Sequence, residues 1–102
     1  LRIFGFGGGA APAQAQATVH RTGPMNALVQ WQPLSEMSAQ GCNIRYGIAP
    51  DKLYQSWLVY GVQELDLSTL MAGQDYYLRV DSFNENGITE GSLLYCPAEN
   101  HK

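Results

Sequence analysis

Residues 70–87, LMAGQDYYLRVDSFNENG, constrain the fold of this chain more than any other stretch. Gly73 supplies a corner, and Tyr76, Leu78, Val80 and Ser82 fall on one face of a period-two strand. Asn84-Glu85-Asn86-Gly87 then turns the chain back. A Leu, a Gly three residues on and a Tyr three residues after that is the spacing with which a β-sandwich closes a corner. There the tyrosine hydroxyl bonds back to the backbone where the chain passes between sheets. Leu70 and Tyr76 are therefore expected to be structural, and the strand after the corner to be central, with a hairpin following it.

The rest of the chain reads as partners for that strand. Ala15, Ala17 and Val19 alternate with polar residues over 14–20, a first edge strand, and 21–26 with its Gly-Pro is the turn after it. Ala27, Val29 and Trp31 point inward in NALVQWQP, and Trp31 is the expected core anchor because it brings one of the largest apolar areas in the sequence. Residues 33–41 read as a polar loop. The third strand, 41–47, sets Cys42, Ile44 and Tyr46 on one face and Asn43 and Arg45 on the other. Ala-Pro-Asp-Lys at 49–52 is a turn. The fourth strand, LYQSWLVY at 53–60, is apolar on both phases, so it is either covered twice or displays its aromatics. Residues 62–70 turn Leu65 and Leu67 inward, and 88–95 form the last strand, ended by Cys96-Pro97. Seven short strands with frequent turns predict an all-β fold with almost no helix: a seven-stranded Greek-key β-sandwich of immunoglobulin-like type.

A chain of 102 residues has room for one core. Residues 1–13 open with the apolar LRIF and continue through a Gly/Ala-rich run, read as the tail of a preceding domain plus a linker. The domain proper is placed at 14–97, with 98–102 as a C-terminal tail. The glycines lack the Lys-Ser or Lys-Thr of a phosphate loop. Charged residues are 15% of the chain and the net charge is −3, against a nucleic-acid or anionic-membrane partner, which needs a basic patch. No run of 18 apolar residues marks a membrane span. Any export signal is expected upstream.

The third and last strands should run parallel in one sheet, with Cys42 at the start of one and Cys96 at the end of the other. That separation exceeds the roughly 7 Å Cα limit for a disulfide, so free thiols are expected. His20 and His101 stand apart, without the spacing of a metal site. A glycosidase needs two carboxylates about 5–9.5 Å apart across a cleft. Glu64 with Asp66, and Asp81 with Glu90, are instead read as solvated carboxylates on outward phases. No catalytic residue, metal or cofactor is expected.

The tryptophan strand ALVQWQP, the strand CNIRYG, the corner LMAGQDYYLRV and the hairpin FNENG together resemble a fibronectin type III domain over about residues 12–96. The chain departs from that pattern at Cys42, where an aromatic is common, and at Ala72, where proline is usual. No Arg-Gly-Asp stands in any loop. A narrower resemblance, carried by YGIAPDKLYQSWLVYG (46–61), FNENGITEG (83–91) and the LRIFG start, is to the C-terminal module of bacterial family 43 glycoside hydrolases. Those enzymes include β-xylosidases and α-L-arabinofuranosidases acting on plant hemicellulose such as xylan. Their catalytic acids belong to another domain, so none carries over. The resemblance implies a non-catalytic accessory module, a spacer and interdomain support, in a secreted or periplasmic hydrolase of carbohydrate metabolism. Upstream domains of the same polypeptide are its expected partners.

Tyr54, Trp57 and Tyr60, with Tyr77 and Phe83 on the outward phase of the central strand, are the candidate contact residues, expected to form one flat aromatic patch. Docking to the neighbouring domain is favoured over stacking on a plant polysaccharide, because exposed apolar patches mark protein contacts. A carbohydrate-binding module and a cell-surface adhesion or interaction module are the alternatives.

Overall fold

The computed structural model describes residues 10–98. In chain order these form β1 (Thr18–Gly23), β2 (Asn26–Gln30), α1 (Leu34–Met37), β3 (Gly41–Gly47), β4 (Gln55–Tyr60), β5 (Glu64–Leu67), β6 (Tyr76–Asn84), β7 (Gly87–Thr89) and β8 (Leu93–Cys96). One antiparallel sheet has the order β1-β2-β5; the other runs β4-β3-β6, with β7 and β8 both on the far side of β6. The expected tail before residue 10, and His101, lie outside the described residues.

The alternation read from the sequence is the alternation that packs. Ala27, Val29 and Trp31 from one sheet meet Cys42, Ile44, Tyr46, Leu78 and Val80 from the other, all buried, with Leu67 and Leu70 closing the side. Trp31 also donates its indole N–H to the Val62 carbonyl at 3.0 Å, so its polar end is not stranded in the core. At the corner Gly73 takes φ +78°, a region L side chains rarely adopt, and the Met71 N–H donates to the Tyr76 hydroxyl at 3.0 Å. Tyr76 and Leu70 are both buried at this corner.

Several boundaries differ, each for a local reason. The first strand begins at Thr18 rather than residue 14 and continues through Gly23, leaving only Pro24-Met25 as the turn. Residues 10–17 are extended but held by side chains: the Asn84 and Asn86 amides donate to the Ala10 carbonyl, and the Ser82 hydroxyl to that of Ala13. Part of the segment read as linker thus lies against the β6–β7 hairpin. The polar loop at 33–41 contains one helical turn, because Leu34 and Met37, three residues apart, lie on one face and Met37 plugs the core at 1% exposure. The expected last strand is interrupted. Ser82 faces Thr89, while Arg79 faces Leu93, so three steps along β6 match four on its partner, a bulge between β7 and β8. With β7 and β8 counted as one bulged strand, the sandwich has its seven.

β3 and β8 are both antiparallel to β6 and hence parallel to each other. Cys42 is opposite Ser82 and Cys96 opposite Tyr76, six residues apart on β6 and therefore about 20 Å distant, so no bridge is possible and both thiols are free.

Candidate interaction surface

Opposed residues on antiparallel strands point to the same face, so the register decides which aromatics share a surface. Gly41 is opposite Tyr60 on one side and Phe83 on the other. Because Gly41 has no side chain, the two rings close over it edge to face, with centroids 5.3 Å apart at 80°. A Cβ there would come within 2.8 Å of the Phe83 ring and against the Val59 carbonyl oxygen. Leu58 and Ile88, both exposed, flank this pair.

Tyr77 is opposite Tyr95, and their rings stack at 5.1 Å with a 38° tilt. This second pair is six residues along β6 from Phe83, about 20 Å away. Trp57 is opposite Ile44, a core residue, so it belongs to the inward phase of β4 and leans over the sandwich edge. Its indole N–H donates to the Tyr46 hydroxyl at 3.3 Å, and that hydroxyl shares a hydrogen bond with Thr69 at 3.2 Å. Tyr54 precedes β4 and is 78% exposed, at the mouth of a cleft of about 410 Å³ that Tyr46 and Tyr76 also line. The single flat patch expected from the sequence is therefore three separate aromatic features: a pair over Gly41, a pair at the opposite end, and the Tyr54–Trp57 flank.

Between the two pairs lies a charged floor. Asp81, expected as a solvated carboxylate, is 4% exposed. Arg79 donates to both its oxygens, at 2.8 and 3.0 Å, and the Gly91 N–H donates to it at 3.1 Å. The bulge between β7 and β8 creates this site, because it turns the Gly91 amide toward β6, and one residue of register is invisible in the alternation pattern. Hydrogen bonding to Asp81 raises the Arg79 pKa. Three donated hydrogen bonds tie the Asp81 carboxylate to the sheet. Glu90 lies 3.6 Å from Arg79. The groove above this floor, about 500 Å³, is walled by Leu58, Tyr60, Phe83 and Ile88. Glu64 and Asp66 sit exposed on β5, as expected.

Arg21 is the residue sequence reasoning missed. It stands in the segment expected as a turn, but a bulge between Arg21 and Gly23 aims it at the corner. Its guanidinium lies 5.7 Å from the Tyr76 ring centroid and donates to the carbonyls of Gly23, Pro24, Met71 and Gln74 at 2.7–3.1 Å. Nearby, Asp75 accepts from the Ala98 N–H at 2.7 Å and from the Tyr95 hydroxyl at 3.0 Å, and these bonds lower its pKa. Burial, with Asp81 nearby, pushes the Cys42 thiol up to about 11, and burial also raises Cys96. Both are poor nucleophiles. Among the described residues no three metal-ligating side chains cluster, and no helix is long and apolar enough to cross a membrane.

Two sheets in this topology, closed by a tyrosine corner and a core tryptophan, define a fibronectin type III fold. The FN1–FN3 domains of chicken CNTN1 align with 88% of this chain and 32% of theirs, at 24% identity and TM-score 0.74. This chain thus spans about a third of that structure. The fn3 domain of human contactin 1 aligns over 92% of this chain and 84% of its own, at 20% identity and TM-score 0.72. The FN5 domain of Drosophila Lar aligns over 88% and 99%, at 14% identity and TM-score 0.70. These are likenesses of fold. No family model matches the sequence, and no curated protein does.

Proposed function

We propose that this domain is a non-catalytic spacer and interaction module whose larger sheet offers its outer face to a neighbouring domain of the same polypeptide. The observation that carries the reading is the set of exposed apolar side chains on that face: Leu58, Tyr60, Ile88, Leu93 and Tyr95, all between 47% and 69% exposed. Its finer form is a C-terminal accessory module of a secreted or periplasmic bacterial glycoside hydrolase acting on hemicellulose. The support for that form is the resemblance of residues 46–61 and 83–91. The test is hydrogen exchange on the module alone and in its parent protein. Slower exchange along β6, β7 and β8 in the parent is the expected result; identical exchange in both settings rejects outer-face docking.

A second reading, sugar binding, is favoured by the cleft at Tyr54, where Lys52 and Gln55 stand beside tyrosine faces. Titration with xylo- and arabino-oligosaccharides, following the Trp31 and Trp57 indole NMR signals, separates the two. Saturable shifts at Trp57 with Trp31 unmoved establish a carbohydrate-binding module. A third reading, a cell-surface adhesion module, predicts tandem copies of this domain in the parent.

A further inference from the structure

β4 has β3 as its strand partner among the described residues, so the backbone groups on its other side are unpaired there. Open edges invite pairing with another chain, and proteins blunt them with charge, proline, bulges or very short strands. The other edges here carry such devices. β1 is bulged beside Arg21, β5 places Glu64 and Asp66 within four residues, β7 has three residues, and β8 ends at Pro97. β4 has none of these. Residues 53–62, LYQSWLVYGV, contain no charge and no proline, and the β3–β4 register runs unbroken over six pairs.

We propose that β4 pairs antiparallel with β4 of a second copy, joining two five-stranded sheets into one. A two-fold axis through Leu58, perpendicular to the sheet, keeps every side chain on its own face. Leu58 then meets its counterpart, Tyr60 meets Ser56 of the second copy, and Trp57 meets Val59 of the second copy. On the axis Leu58 faces its own equivalent, and Trp57 and Val59 lie diagonal to theirs, so a charge at the centre of this strand would meet its like. The uncharged centre of β4 suits such pairing. Tyr54, Trp57, Leu58 and Tyr60 are 78%, 46%, 57% and 61% exposed. At about 200 Å² per side chain their exposed surface sets an upper bound of about 500 Å² per copy, or roughly 1,000 Å² in all. That is the size of a weak, transient interface. The inference uses the backbone edge of the sheet, shares Leu58 and Tyr60 with its outer face, and holds whatever protein the module belongs to.

The test is sedimentation equilibrium on the full chain from micromolar to millimolar concentration, with amide exchange measured over the same range. The expected result is a reversible monomer–dimer equilibrium, with the β4 amides that point away from β3 gaining protection as the dimer forms. Leu58→Lys, at an exposed position, sets two cations against each other on the axis and raises the dissociation constant about tenfold or more. The melting temperature of its monomer stays that of the parent chain. Ser56→Lys, off the axis, weakens the dimer less. A chain that stays monomeric at millimolar concentration overturns the proposal, as does a dimer indifferent to Leu58→Lys. Protection of β4 that does not depend on concentration also overturns it, since the edge would then be covered within one chain.

Discussion

The corner around Tyr76 and the edge at β4 are built from the same kinds of residue and are opposites in how those residues are used. At the corner the tyrosine hydroxyl accepts from Met71, its ring lies under Arg21, and Arg21 in turn ties the carbonyls of Gly23, Pro24, Met71 and Gln74. At β4 the aromatics stand out in solvent and the strand's outer backbone groups have no partner among the described residues. A protein invests buried, fully bonded aromatics in stability and leaves exposed ones for contact. The corner is therefore where substitution should unfold the domain, and the edge is where substitution should leave the isolated domain intact.

Truncating the closed side should give the largest effects. Trp31→Ala removes a core anchor and leaves the Val62 carbonyl without its donor, so chemical denaturation should show a loss of about 3–5 kcal/mol. Arg21→Ala leaves the carbonyls of Gly23, Pro24, Met71, Gln74 and Pro97 and the Tyr76 ring without their cation; a loss of about 2–3 kcal/mol is expected in the same measurement. A value near zero would mean that the corner closes without Arg21. Tyr76→Phe keeps the ring and deletes only the acceptor of the Met71 N–H, so about 1 kcal/mol should be lost, and no loss would contradict the corner assignment.

Acid offers a finer probe of the same side. The folded-state pKa of Asp75 lies below its ordinary 3.8, so its contribution is fully present above that value and fades as pH falls through the lower folded value. Proton binding there should release the Ala98 amide before the core melts, visible as earlier exchange at Ala98 than at Leu78. At the open side, Tyr54→Ala should change stability by less than about 0.5 kcal/mol, because a side chain 78% exposed has little burial to lose. A larger change would show that the flank is packed, not displayed.

The parts read correctly from sequence are those carried by local pattern. The period-two faces of β2, β3 and β6 needed only alternation, and the corner needed only the Leu-Gly-Tyr spacing with its left-handed glycine. The separation of the two cysteines followed once strand order was assumed. What went unread depends on register. One extra residue between β7 and β8 buries Asp81 under Arg79, and one between β1 and β2 swings Arg21 from a turn to the corner. Bulges of this kind leave composition and alternation unchanged, which is why a surface carboxylate and a turn arginine were expected in their place. For the aromatic candidates, alternation alone separates Trp57 from Tyr60, three residues apart on one strand; register adds that Tyr60 and Phe83 meet, because both face Gly41.

By itself the sequence determined a two-sheet, all-β sandwich with Trp31 and Tyr76 as its anchors, because side-chain period and turn chemistry are properties of a few neighbouring residues. Tertiary structure alone decided which of its exposed aromatics stand together, which carboxylate is buried, and which strand is left as an open edge. Those outcomes depend on how strands far apart in the chain are registered against one another, and a shift of a single residue there exchanges one face for the other.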